Sequence, residues 1–206
     1  VTQEMEWNGL KYNMEKSLDK ARDVGLEIDK LTAELSGHSP IELDWNSNDH
    51  LSALIYGGVV KKKERKAHPF TYKDGRTVMK ERWEQVEYVL DRQITPLPKT
   101  EVKKKNYFEV NEAVLRKLSA KGTQRRLLNL IIKRKELIKL KGTYYEGIPE
   151  LYQHMGWENQ IIHGNINHVR AKTIRLASSN PNQQNLDERV LSCIETRFLG
   201  DLDNDS

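Results

Sequence analysis

Small or apolar residues at Met14, Leu18, Ala21, Gly25, Ile28, Thr32 and Leu35 recur at spacings of four and three, which aligns them on one face of a helix from 14 to 35. Asn13 suits its N-cap, and Ser36-Gly37 with Pro40 beyond supplies the stop. A shorter helix is expected from Asn48 to Tyr56, capped by Asn46, Ser47 or Asn48 and closed by Gly57-Gly58. Between Gly58 and Lys105 the pattern turns to β-branched and aromatic pairs around Asp74-Gly75, a tight-turn dipeptide, and predicts a β-hairpin-like excursion. Pro96 and Pro98 then mark an extended connector.

Helix returns from Asn111 to Ser119, and again from about Gln124 to Gly147. The longer one carries two stripes, Leu127, Ile131 and Ile138 on one side and Leu130, Leu137, Leu140 and Tyr144 on another, so it should be gripped from two sides. A short helical turn to about Met155 follows Pro149, and the β-branched run from Gln160 to Val169 suggests strand. Ser178 to Asn182 is dense in turn formers and should be irregular. The elements describe an α+β chain, mainly helical, with a few strands near its C-terminus.

The 206 residues suffice for one sizeable domain, or a domain with an appended piece, without staples. A chain 37% hydrophobic and 31% charged, with mean hydropathy −0.76, is polar, and no apolar run reaches membrane-spanning length. Its net charge of +4 is mildly basic, and the distribution says more. Basic residues crowd into Lys61, Lys62, Lys63, Arg65 and Lys66, into Lys99, Lys103, Lys104 and Lys105, and along 116–141, whereas 200–206 is acidic. The single cysteine, Cys193, excludes an internal disulfide and fits a reducing compartment. The chain opens on Val1 without a leader pattern, which suggests a fragment.

The chemically most informative stretch runs from Lys172 to Asn185, one arginine among hydroxyl and amide side chains. Such groups donate and accept hydrogen bonds with little charge, which suits phosphates, sugars and minor-groove base edges. A polar surface loop would have the same composition. Lys135 and Lys139, one helical turn apart, could reach a shared partner or line a solvated face. The lysine runs either keep hairpin edges soluble or lie along phosphates.

Read as a motif, the stretch 172–187 resembles the Thr-Gly-Arg-Leu-Ser-Ser-Ser-x-Pro-Asn-Leu-Gln-Asn-Ile-Pro signature of family A DNA polymerases, bacterial polymerase I-like and of phage type. Other segments fall in the family's order. Met5-Glu6 through Gly9 and Asn13 resembles the opening ahead of the first thumb helix, and Leu43 to Tyr56 the Asn-Leu-x-Ser-x-Lys-Gln-Leu segment with its helix. Phe108 to Leu118 is similar to Ser-Val-x-Glu-x-Val-Leu-x-x-Leu, and Lys135 to Tyr144 to Arg-x-Leu-x-Lys-Leu-x-Ser-Thr-Tyr. Ile162-His163-Gly164 with Asn167-His168 resembles the phage form of the strand before the signature.

The resemblance implies a thumb of long antiparallel helices from 13 to 149, with a lead-in at 1–12 and a basic hairpin insertion and connector at 58–105. The start of the palm would occupy 150–199, and an acidic tail 200–206. It implies that Arg175, Asn182, Gln184 and Asn185 contact primer-template DNA near the growing end, and that Lys139 meets backbone phosphate. Ser178, Ser179, Asn180, Lys135, Lys141, Thr143 and His168 complete the implied DNA-binding set. Departures are specific: Ile174 stands for the signature glycine, Ala177 for its first serine, Gln183 for its leucine, Asp187 for its closing proline, and Gly142 for the serine before Thr143.

The family's two catalytic aspartates, which hold paired magnesium ions, and its nucleotide-binding helix have no match in 1–206. The implied function is therefore duplex binding for DNA replication, with magnesium and catalysis belonging to a palm and fingers portion that acts as partner, in the cytoplasm of a bacterial or phage-infected cell. The competing class is a non-catalytic nucleic-acid-binding or adaptor fragment that works only with a partner chain.

Other clusters are weaker. Asp201, Asp203 and Asp205 alternate like the start of a calcium loop, but position six is Ser206 and not glycine. His154, His163 and His168 have no cysteine pair beside them for zinc, and Cys193 sits in an apolar-polar mix that favours packing over nucleophilic work.

Overall fold

The computed structural model describes residues 9–103, 106–167, 177–179 and 186–195. The chain divides into two units, one formed by 1–31 with 133–206 and the other by 32–132, and the division falls within two helices.

The unit of 32–132 is built around α2 (Asn48–Tyr56), a hairpin of β2 (Gly58–Thr71) and β3 (Thr77–Leu90), and α3 (Glu112–Lys117), with the ends of α1 (Met14–Ser36) and α4 (Gly122–Leu140). Ser47 caps α2 by accepting from the His50 amide, and Asn111 caps α3 by accepting from Val114 at 2.9 Å. α2 is apolar nearly all round and is wholly interior from Leu51 to Tyr56. It packs into one cluster with Trp45, Leu115, Leu118, Leu127, Leu128, Ile131 and Ile132. Tyr56 meets Phe108 edge-on at 5.3 Å and donates to the Glu109 carbonyl; burial, with Glu109 nearby, pushes its hydroxyl up to about 12.

The expected hairpin is present and longer than the apolar pattern suggested, fourteen residues in each strand from Gly58↔Leu90 to Thr71↔Thr77. The Gly75 amide donates to the Tyr72 carbonyl at 3.0 Å and Gly75 takes φ +84°, closing a turn that a side chain would strain.

In the other unit β1 (Leu10–Tyr12) lies between β4 (Ile161–Ile162) and β7 (Ile194–Glu195), antiparallel to both, with Leu10 opposite Ile162 and Tyr12 opposite Ile194. Beyond α4 the chain forms a π-helical segment (Lys141–Glu146), α5 (Gly147–Met155), a pair of strands β5 (Asn165–Asn167) and β6 (Ala177–Ser179), and α6 (Glu188–Leu191). Tyr12, Ala21, Tyr145, Ile148, Ile162, Val190 and Cys193 are buried there. Ser17, also fully buried, donates to the Tyr145 carbonyl at 2.9 Å and pairs with the Tyr12 hydroxyl at 2.7 Å.

Four expectations are corrected. The face of α1 that is buried runs through Ser17, Ala21, Leu31 and Leu35, while Leu18 is 45% exposed, because Ser17 finds hydrogen-bond partners and so tolerates burial. In α4, Leu128 and Ile132 are buried beside Leu127 and Ile131, and Tyr145 is buried where Tyr144 was expected. The helix from about 124 to 147 ends at Leu140 and widens into the π segment. Of the stretch Ser178 to Asn182 expected to be irregular, Ser178 and Ser179 belong to the strand Ala177–Ser179, which pairs residue for residue with Asn165–Asn167, and 180–182 lie outside the described residues. Cys193 is free and packed, as expected. Among the described residues no helix is long and apolar enough to cross a membrane.

Candidate nucleic-acid interface

Four of the expected DNA-binding residues, Lys135, Lys139, Lys141 and Thr143, lie together where α4 runs into the π segment. Leu137 and Leu140 hold this stretch down, and their burial leaves Lys139 and Thr143 exposed and Lys135 and Lys141 half-buried. Lys135 and Lys139, four apart, share a face. Burial, and then the neighbouring charge of Arg134, lowers the Lys135 ammonium below the ordinary lysine range. An anion arriving at Lys135 would favour its charged form and so oppose both effects.

The lysines differ in what already holds them. Lys141 lies 3.2 Å from Glu146, and its stem runs past Gly25, 3.6 Å from where a Cβ there would stand. Lys139 makes no salt bridge among the described residues. The π segment sets the spacing of this surface, since each residue of such a turn rotates less than in an α-helix. It closes tightly: a Cβ on Gly147 would lie 2.6 Å from the Gly142 carbonyl oxygen. Gly147→Ala is therefore expected to destabilise the protein by about 1–3 kcal/mol in urea denaturation. Gly142→Ala, with open space around it, should not.

Beside this stretch, Asp187 caps α6 by accepting from the Arg189 amide and forms a two-pronged ion pair with the Arg189 side chain at 2.8 and 2.7 Å. The Arg189 hydrogen bonds, with a smaller contribution from Lys139, hold the Asp187 carboxyl down at about 2. Tyr145 donates to the Arg189 carbonyl at 3.1 Å, and Lys20 reaches that carbonyl and the Ser192 hydroxyl. A cleft of about 540 Å³ opens here, lined by Lys20, Lys133 and Arg189 but also by Asp23, Glu27 and Glu188. Lys133 is paired to Glu27 at 2.5 Å, so charges of both signs balance and the cleft offers a polyanion little.

Ser178 and Ser179 lie on β6, opposite Ile166 and Asn165. Arg175, Asn180, Asn182, Gln184, Asn185 and His168 fall outside the described residues. Sequence reasoning missed Lys20 and the Asp187–Arg189 pair; an aspartate just before a four-residue helix was the available signal for the latter. Of the lysine run on β2, Lys61, Lys62, Arg65 and Lys66 face glutamates at 2.9, 2.5, 3.5 and 3.8 Å.

Comparison with known proteins places these observations. The chain is 36% identical over 84 residues to "DNA polymerase I" of Synechocystis, an alignment that takes in 41% of this chain and 8% of that protein. Its fold is similar to the POL domain of Pol1 from M. smegmatis, solved in complex with DNA primer-template and dNTP, with a TM-score of 0.59 at 18% identity over 90% of this chain and 25% of that one. The chain thus spans a small part of either relative. A family model described as DNA polymerase family A matches residues 60–198, well over half the sequence, and the chain belongs to that family.

Proposed function

We propose that the chain serves as the thumb and the start of the palm of a family A DNA polymerase of phage type, and that it holds the primer-template duplex for DNA replication while a palm and fingers portion supplies catalysis. The observation that carries this reading is the gathering of Lys135, Lys139, Lys141 and Thr143 on one short stretch within the family match. Lys139 offers an exposed ammonium with no salt bridge among the described residues, and Lys135 a half-buried one whose charged form an anion would favour. Both suit backbone phosphates, which position a duplex without reading its sequence. In this reading residues 13–149 are thumb, with the hairpin as an insertion, and 150–199 begin the palm.

The signature at 172–187 would complete the interface, with Arg175, Ser178, Ser179, Asn180, Asn182, Gln184 and Asn185 at the duplex near the primer end and His168 beside them. Magnesium chemistry belongs to the complete polymerase. Among the described residues no group of three or more His, Cys, Asp or Glu could hold a metal ion.

Arg175→Ala is expected to weaken primer-template binding about tenfold, as expected for loss of one charged hydrogen-bonded contact. Fluorescence anisotropy with labelled primer-template measures it. An unchanged affinity would remove the signature from the DNA and leave the adaptor reading in its place.

A further inference from the structure

The hairpin of β2 and β3 carries a second charged surface that the thumb stretch does not use. Residues 58–90 hold nine lysines and arginines against five aspartates and glutamates, a surplus as large as the net +4 of the whole chain. The register sorts these charges by face. On one face, from base to tip, stand Val60 with Tyr88, Lys62 with Val86, Glu64 with Glu84, Lys66 with Arg82, His68 with Lys80, and Phe70 with Val78. The first row is core, and the outer rows project beyond it.

Lys66 directly faces Arg82, and His68 directly faces Lys80. Like charges in that position weaken a β-ribbon, and a two-stranded ribbon has little else to hold it. Among the described residues Glu84 answers them, 3.8 Å from Lys66 and 3.1 Å from His68. Lys80 instead lies over aromatic rings, 3.8 Å from the centre of Phe70 and 4.8 Å from that of Tyr72, and Tyr72 is 44% exposed. A strip in which cations outnumber the carboxylate that answers them, ending in the exposed ring of Tyr72, has the two parts that single-stranded nucleic acid requires, one for phosphates and one for the faces of unstacked bases. A duplex hides its base faces and would leave Tyr72 without a partner.

We propose that this outer face of the hairpin binds single-stranded DNA, with Lys66, Lys80 and Arg82 on successive phosphates and Tyr72 stacking on a base. The proposal stands on the hairpin's own charge and rings and does not depend on the thumb stretch, which lies in the other unit. The test is anisotropy of the whole chain with labelled oligothymidylate of about 12 nucleotides across a salt series. Replacing Lys66, Lys80 and Arg82 together by glutamine should lower the salt slope by about 2 and the affinity more than tenfold. Tyr72→Ala should weaken binding about tenfold with the slope unchanged. Glutamine at Lys61, Lys63 and Arg65, on the opposite face, should change little, and circular dichroism should show all variants folded. Equal losses from both faces, or Tyr72→Ala with wild-type affinity, would overturn the proposal. So would single-strand binding that falls only with Lys139→Ala, which belongs to the duplex reading.

Discussion

Leu128→Ala is expected to lower the free energy of unfolding by about 2–5 kcal/mol. Leu128 is fully buried in the cluster that joins α2, α3 and α4. Truncation removes three of the four side-chain carbons with their contacts, and the surrounding helices can close only part of the space. Urea denaturation followed by tryptophan fluorescence is suited to the measurement, because Trp45 is buried in the same cluster. Leu26→Ala makes the control. Leu26 is 61% exposed on α1, and its truncation should stay within about 0.5 kcal/mol. Equal effects of the two changes would mean that this cluster is not where the stability of residues 32–132 resides.

Replacement of Lys135 and Lys139 together by alanine should carry the largest binding effect. If both ammonium groups meet duplex phosphates, the dependence of log affinity on log salt concentration falls by about 1.8, and affinity at moderate salt falls more than tenfold. The two contributions should be unequal in kind. Lys139 is exposed and gives up only a counterion on binding, whereas Lys135 starts desolvated and beside Arg134, so phosphate also restores its preference for the charged form. Alanine at Lys133, already paired with Glu27, should leave the salt slope close to wild type. A double variant that keeps the wild-type slope would place the duplex elsewhere.

Local chemistry made much of this fold legible. Caps and stops located α1, α2 and α3 closely, since Asn13, Ser47 and Asn111 act through their own side chains on amides three residues away. Asp74-Gly75 fixed the hairpin because its turn conformation is a property of those residues. The sheet of β4, β1 and β7 was not legible as pairing. Its strands are two or three residues long, and Leu10 meets Ile162 across most of the chain, so no period and no local contact announces them. The adjacent burial of Leu127 with Leu128 and of Ile131 with Ile132 broadens the apolar face of α4 beyond a narrow stripe, which explains why a reading in two narrow stripes missed Leu128 and Ile132. The π segment had no signal beyond Gly142 and Gly147, because a wide turn is chosen by packing and not by propensity.

The site was legible in a different way. Lys135 and Lys139 stand out by spacing, but spacing alone leaves both a solvated face and a phosphate grip open; the half-burial of Lys135 and the exposure of Lys139 are what favour the grip. Most of the signature falls outside the described residues, so its place at the DNA rests on motif and family and is a matter for Arg175→Ala. The lysine run on β2 was read as one feature, and its register divides it into two faces with different partners.

The most direct test of the central claim compares affinity for a primer-template with affinity for the same template strand unpaired, over a salt series, in the chain whose Lys66, Lys80 and Arg82 are glutamine. Removing the hairpin cations takes away the surface proposed for single strands and leaves the thumb stretch to act alone. The account predicts that the primer-template is still bound, more tightly than the single strand, and with a slope that Lys135 and Lys139 control. Equal, weak binding of both forms would contradict it.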